Sequence, residues 1–175
     1  MRTVVLRVAA LALLLLLALV AVITVRTLQR IPDTIVYFVR DRGATFTLEA
    51  AHRRSGATDV RTRVERQVAA LARGPEAQET ARGLSTAVPS DVAVRDARLE
   101  DGVLTVDLTA AYERGGGSAS MLGRLYQLYY TLTQPSDVDA VRIAIEGDVI
   151  EVFGGEGVLL DDPWMRAEHA ELPVW

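Results

Sequence analysis

The chain has 175 residues, 50% hydrophobic, 24% charged and 6% aromatic, with a formal net charge of −4. That is the length of one domain, with too much apolar content for a disordered chain. It has no cysteine, no lysine (all 19 basic residues are arginine) and two histidines, which excludes disulfides, thiolate catalysis, cysteine-ligated zinc, a lipobox cysteine, a P-loop or Schiff-base lysine and a histidine-rich metal centre.

Arg2 and Arg7 flank a short polar start, after which Val8 to Val25 runs for 18 residues without a charge. As a helix this run is about 27 Å long, close to the hydrocarbon thickness of a bilayer. It exceeds the usual apolar region of a signal peptide, and Val22-Ile23-Thr24-Val25-Arg26-Thr27 offers no small-x-small cleavage pair. Residues 1–30 therefore read as an uncleaved membrane anchor, with a cleaved signal peptide as the alternative. Arg26 and Arg30 match Arg2 and Arg7 across the run, so the positive-inside rule assigns no orientation.

Residues 31–175 form the second unit, a single domain with a C-terminal tail. They hold 15 arginines and all 23 acids, a net charge of −8. That balance speaks against nucleic acid, whose recognition needs a basic face, and against electrostatic docking on anionic lipid.

Ile31-Pro32-Asp33 is a linker. Ile35 to Val39 reads as a buried strand, and Thr45-Phe46-Thr47-Leu48 as a second. Asp59 is placed as an N-cap, followed by Val60, Val64, Val68 and Leu71 on one helix face. Arg73-Gly74-Pro75 ends that helix. Val92 and Val94 begin a hairpin strand, Asp101-Gly102 is a type I′ turn, and Leu104, Val106 and Leu108 alternate on the return. The phase slips between Val94 and Leu99, as at a bulge.

Gly115-Gly116-Gly117 is a connection, with Ser118 or Ser120 as cap of a second helix that Pro135 stops. Met121, Leu125, Leu128, Tyr129 and Leu132 form its apolar face, and Arg124, Gln127, Thr131 and Gln134 an opposite, polar stripe. Val141, Ile143 and Ile145 open a last hairpin, turning at Gly147-Asp148 and returning through Val149 to Phe153, with more strand at Val158-Leu159-Leu160. The order is β-β-α-β-β-α-β-β, an α/β (α+β) domain whose two helices pack on one side of a sheet.

No motif in the chain makes a convincing catalytic centre. Gly83-Leu84-Ser85-Thr86-Ala87 approaches a nucleophile elbow but lacks the strand before and the helix after. Phe153-Gly154-Gly155-Glu156-Gly157 has no helix start or basic residue behind it, so it reads as a bend. Glu156, Asp161 and Asp162 are close in sequence, and paired carboxylates can hydrolyse glycosides or bind calcium, but no EF-hand spacing is present and they read as solvated loop charge. Tyr126 falls between helix faces, and Trp164 is placed to clip the tail onto the domain.

Taken together, Val36 to Asp41, Leu71 to Pro75, Gly83 to Pro89, Gly102 to Leu108, Leu128 to Gln134 and Phe153 to Gly157 resemble the sporulation and germination domain called GerMN, over about residues 33 to 168. The resemblance implies a small α/β domain similar to ring-building motifs, without established catalysis. It also implies an envelope protein, lipid-anchored or membrane-anchored, in a family associated with spore formation, germination and cortex peptidoglycan. This chain departs in lacking the lipobox cysteine and in carrying one such domain. The expectation is a single-pass bacterial membrane protein with its domain on the extracytoplasmic side. That domain binds envelope proteins or its own copies, without cofactor, metal or catalytic residue. The exposed sheet edge or the polar side of the second helix is the expected contact. A peptidoglycan binder is the alternative, with Tyr126, Glu156, Asp161, Asp162 and Trp164 as binding candidates. A hydrolase using Glu156 with Asp161 or Asp162 ranks last.

Overall fold

The computed structural model describes residues 13–21, 33–43, 45–57, 59–154 and 157–166. It separates residues 1–32 from residues 33–175 as two compact units. In the first unit residues 13–21 are helical and exposed. Among the described residues no helix is long and apolar enough to cross a membrane, and the rest of the run from Val8 to Val25 lies outside them.

The second unit opens with β1 (Thr34–Asp41) and β2 (Phe46–Arg53), antiparallel over eight residue pairs. Asp59 then caps α1 (Val60–Arg73), its Oδ1 accepting the Thr62 amide at 2.8 Å. Gly74 closes the helix at φ 84°, its N–H reaching the carbonyls of Ala70 and Leu71; a side chain would be strained there. The strand and helix read from sequence are thus present, each longer than the motif that announced it.

A short helix, α2 (Ala77–Ala81), was not legible in the apolar pattern, because one turn has no period to display. A capping box between Glu76 and Glu79 holds it. Glu79 also takes both Nη groups of Arg53, tying α2 to the end of β2. Chiefly through that guanidinium, the Glu79 carboxyl is held below its ordinary pKa. A lowered carboxylate adds stability above the ordinary carboxylate range, and this is lost as pH falls through the folded-state value. Glu79→Gln is therefore expected to flatten the acid limb of stability between about pH 5 and 3 and to cost about 1–2 kcal/mol at neutral pH. Thermal unfolding across pH, read against the parent, checks both.

β3 (Leu84–Ser85) pairs with the far side of β1 at Val39 and Arg40, so the first sheet runs β2-β1-β3. β4 (Val94–Glu100) and β5 (Val103–Leu108) make the expected hairpin. Asp101 and Gly102 both have positive φ, 48° and 79°, as a type I′ turn requires. The register shifts between Val94 and Asp96, where the sequence phase slipped.

A 3-10 turn (Ala110–Glu113) leads to α3 (Ser118–Leu132) and then to β6 (Ala140–Ile145). β6 runs parallel to β5; parallel neighbours need a crossover, and α3 supplies it. The N-cap of α3 is Gly117, not Ser118 or Ser120, and no side chain caps it. The last hairpin turns at Glu146-Gly147, one residue earlier than read, both with positive φ. Its return is broken. β7 (Asp148–Val149) pairs with β6, while β8 (Val152–Phe153) leaves to form a ribbon with β9 (Val158–Leu159). β10 (Trp164–Met165) adds to the same edge of β6 as β7, opposite β5, so the second sheet runs β10-β6-β5-β4.

One sheet with two helices on one side is therefore corrected to a mixed α+β fold with two sheets and a ribbon. One core joins Val36 and Phe38 of β1, Val64, Val68 and Leu71 of α1, Leu125, Leu128 and Leu132 of α3, and Leu104, Val106 and Ile143 of the second sheet. Each such buried side chain contributes roughly 1.5–3 kcal/mol. A smaller cluster of Tyr37, Val39, Leu48 and Tyr130 lies on the opposite face of the first sheet.

Candidate functional site

The polar stripe of α3 decides which surfaces remain available. Arg124, Gln127 and Thr131 recur at i, i+3 and i+7, and all three are buried, Gln127 completely. Gln134, past the end of α3, is half-buried, so three of the four residues of the polar stripe form an interior seam. Its cause lies in β1. β3 covers only Val39 and Arg40 of the outer edge, so the Tyr37 N–H and C=O point into the interior without a strand partner. Buried backbone groups must be paired. Thr131 Oγ1 accepts the Tyr37 N–H at 3.1 Å, and Gln127 Nε2 donates to the Tyr37 carbonyl at 2.9 Å. Gln127 Oε1 accepts the Ala87 N–H at 2.7 Å, and Arg124 Nε donates to the Ala87 carbonyl at 3.0 Å. Helix side chains thus stand in for a missing strand.

Arg124 continues the seam, donating to the carbonyls of Tyr112 and Gly115. Burial lowers its pKa from the ordinary arginine value. From α1, buried Gln67 donates to Thr34 Oγ1 and to the Thr131 carbonyl. The signal that identifies such a helix is in the sequence: among the 15 residues of α3, Arg124 alone is charged. A helix with one face in water carries more charge than that.

Of the sequence candidates, two come together. Trp164 lies parallel on Tyr129 with centroids 4.9 Å apart and meets Tyr130 edge-on at 5.1 Å. Half-buried Tyr126 approaches Tyr130 at 6.3 Å. Burial raises the phenol pKa of Tyr129 and of Tyr130, keeping both neutral. Arg166 fixes the chain after Trp164, bonding the Tyr130 carbonyl, Thr133 Oγ1 and the Tyr37 hydroxyl. Trp164 therefore clips the end of the domain, as read from sequence. Trp164→Ala is expected to cost about 2 kcal/mol, lower the melting midpoint by about 5 °C and speed amide exchange in β6. Calorimetry and exchange mass spectrometry check this. Asp161 and Asp162 are exposed on the bend before β10; Glu156 lies outside the described residues.

The polar side of the second helix is closed off, yet two openings border α3. A hollow of about 330 Å³ lies over Val39, between Phe46 and the small residues Ala119, Ser120 and Gly123 of α3, with Ser85 to Ala87 as its rim. An open groove of about 690 Å³ runs past Gln134, Met165 and Arg166. Ser85 sits in β3 after a helix and before a loop, without the strand-to-helix turn that exposes a nucleophile. Among the described residues no three histidine, aspartate or glutamate side chains gather as a metal site. The arrangement offers apolar shape and backbone edges for contact.

The family model Germane (sporulation and spore germination) matches residues 35–151. The first GerMN domain of the sporulation protein GerM from Bacillus subtilis has a similar structure, with a TM-score of 0.63 and 18% identity, over 77% of this chain and 97% of that one. The tandem GerMN domains of the same protein match at a TM-score of 0.59 and 21% identity, over 75% of this chain. This chain spans 44% of that tandem chain. A putative lipoprotein from Clostridium perfringens matches at 0.54 and 16% identity, over 77% of this chain and 87% of that one. At these identities the likeness is one of fold. No curated protein matches the sequence.

Proposed function

The chain belongs to the Germane family of sporulation and spore germination domains, and from that premise we propose that it is a non-catalytic interaction module of the bacterial cell envelope. Residues 8–25 tether it to the membrane, and the folded domain works on the extracytoplasmic side, on envelope proteins or on copies of itself. One observation carries this reading: Arg124, Gln127 and Thr131 of α3 are taken up by internal bonds, while an apolar hollow over Val39 and the β2 edge of the first sheet stay open among the described residues. Those are features that receive protein segments. A tether supports weak contacts by raising effective concentration.

Mild cross-linking of the full-length protein in its native membranes, with mass spectrometry of what is captured, tests it. Reproducible capture of a few envelope proteins or of the chain itself is expected. A clean negative, with the bait intact at its uncleaved mass, removes the reading. Peptidoglycan binding is the second reading, favoured by Tyr126 and Trp164 meeting around Tyr130. It predicts co-sedimentation with purified peptidoglycan above a control protein.

A further inference from the structure

The first sheet ends in an edge that carries none of the usual protections. Tyr37 turns its N–H and C=O away from β2, toward Thr131 and Gln127. Its cross-strand partner Ala50 therefore turns its own N–H and C=O outward, away from β1. The two-residue period carries this to Phe46, Leu48 and His52. Arg53 caps the His52 carbonyl at 3.0 Å; among the described residues nothing bonds the outward groups of Phe46, Leu48 or Ala50.

Native edges are defended by shortness, bulges, proline, charge or cover. β4 shows such defences: a register shift at Val94/Asp96, charges at Arg95, Asp96, Arg98 and Glu100, and Arg61 bonding the Arg95 carbonyl at 2.9 Å. β3, β7 and β10 are two residues long. β2 is eight residues long, unbulged and without proline. Its charged Glu49 and Arg53 bond Arg40 and Glu79 within the domain.

We propose that the free edge of β2 pairs antiparallel with β2 of a second copy of this chain, joining two three-stranded sheets across a two-fold axis at Ala50. This rests on the reading of the domain as an interaction module and names its partner. Charge favours a second copy in this orientation. β2 carries Glu49 in its middle, with His52, Arg53 and exposed Arg54 at its end. With the axis at Ala50 each Glu49 lies diagonal to Arg53 and to Glu49 of the other strand, two attractive contacts against one repulsive, while parallel pairing in register sets like directly on like. With Ala50 on the axis, the opposed pairs are Leu48 with His52, Glu49 with Ala51 and Thr47 with Arg53. Moving the axis to Glu49 would oppose two carboxylates, which is destabilising, and moving it to Ala51 would make both central rungs depend on the His52 carbonyl that Arg53 already holds. An isologous contact of this kind closes at two copies.

The test uses the full-length chain in mild detergent. The outward Ala50 N–H makes no bond within the domain, so Ala50→Pro removes a donor from the interface alone, the one place a strand tolerates proline. Sedimentation equilibrium is expected to show a reversible dimer for the parent. Ala50→Pro should weaken it at least about tenfold, the loss of two backbone bonds across the axis. The chain has no native cysteine. Ala50→Cys sets two thiols across the axis at a Cα separation of about 5.5 Å, within disulfide range. Mild oxidation should link it far faster than Ser90→Cys, an exposed control, and this holds as a test if the proline variant misfolds. A monomeric parent, a dimer indifferent to Ala50→Pro (as one held by residues 8–25 would be), or equal linking of the two cysteines overturns the proposal. If Ala50→Pro instead abolishes a cross-link to another protein while the chain stays monomeric, the edge is used but the second copy is refuted. If envelope partners cross-link undiminished while β2 pairing fails, the interaction reading stands and this inference falls. Pairing through β2 without any envelope partner leaves self-association as the module's whole role.

Discussion

Replacing Gln127 by leucine is expected to cost about 3 kcal/mol and to lower the melting midpoint by roughly 10 °C. The substitution nearly conserves volume and adds apolar surface to a fully buried position, so by hydrophobicity alone it would be mild. The cost comes from what the amide leaves behind. The Tyr37 carbonyl and the Ala87 N–H lose their partners at 2.9 Å and 2.7 Å, and each unpaired buried group costs about 1–3 kcal/mol. Against a typical stability of about 5–15 kcal/mol that is a large fraction. Gln127→Glu separates this account from a packing account. The new carboxylate still accepts from Ala87, but complete burial and the facing Tyr37 carbonyl outweigh the attraction of Arg124, which is already held by three carbonyls, so its folded-state pKa lies above its unfolded one. A raised carboxyl stabilises the fold below its unfolded pKa and loses that effect as pH rises through the folded value. The deficit of Gln127→Glu against the parent should therefore be smallest near pH 4 and largest near pH 8. Denaturant unfolding at both pH values measures it, and a deficit independent of pH would refute the assigned role.

The same seam marks where sequence reading succeeded and where it stopped. Val60, Val64, Val68 and Leu71 repeat at helical spacing because one face of α1 meets the core, and the structure places all but half-buried Val60 there. Asp101-Gly102 was legible because a type I′ turn demands positive φ at both positions. The family was legible in motifs spread along the chain, and the match over residues 35–151 agrees. The side of α3 facing β1 was not legible, since periodicity separates polar from apolar but does not say which polar groups face water. That depended on β3 being too short to cover Tyr37, a fact of pairing between distant segments. The single sheet failed for a related reason. β-β-α-β-β-α-β-β fits one sheet or two, and only the pairing of β1 with β3 and of β5 with β6 decides. Of the binding candidates, Trp164 was visible as a clip, whereas the hollow over Val39 is built from small residues of α3 that carry no apolar signal of their own.

Arg124→Met is expected to be as damaging, about 3–4 kcal/mol, although it removes a buried charge that has no carboxylate partner among the described residues. Exchanging a whole buried ion pair for hydrophobic residues is often neutral, because both desolvated charges go together. Here the acceptors are backbone carbonyls and remain. Arg124 reaches Ala87 after β3, Tyr112 in the 3-10 turn and Gly115 before α3, so one planar fork holds three loop segments to one helix. The Tyr112 hydroxyl answers by donating to the Arg124 carbonyl at 3.2 Å. Arg124→Lys keeps the charge but offers one ammonium where a fork serves three directions, and about 2 kcal/mol should be lost. Amide exchange distinguishes this from general loosening of the core. In Arg124→Lys, protection should fall at residues 85–88 and 110–117 while β5 and β6 keep theirs. If lysine restores full stability, the charge alone matters and the fork geometry does not. If exchange rises uniformly through the sheets, Arg124 acts as packing volume, and the rim of the hollow over Val39 owes its position to something else.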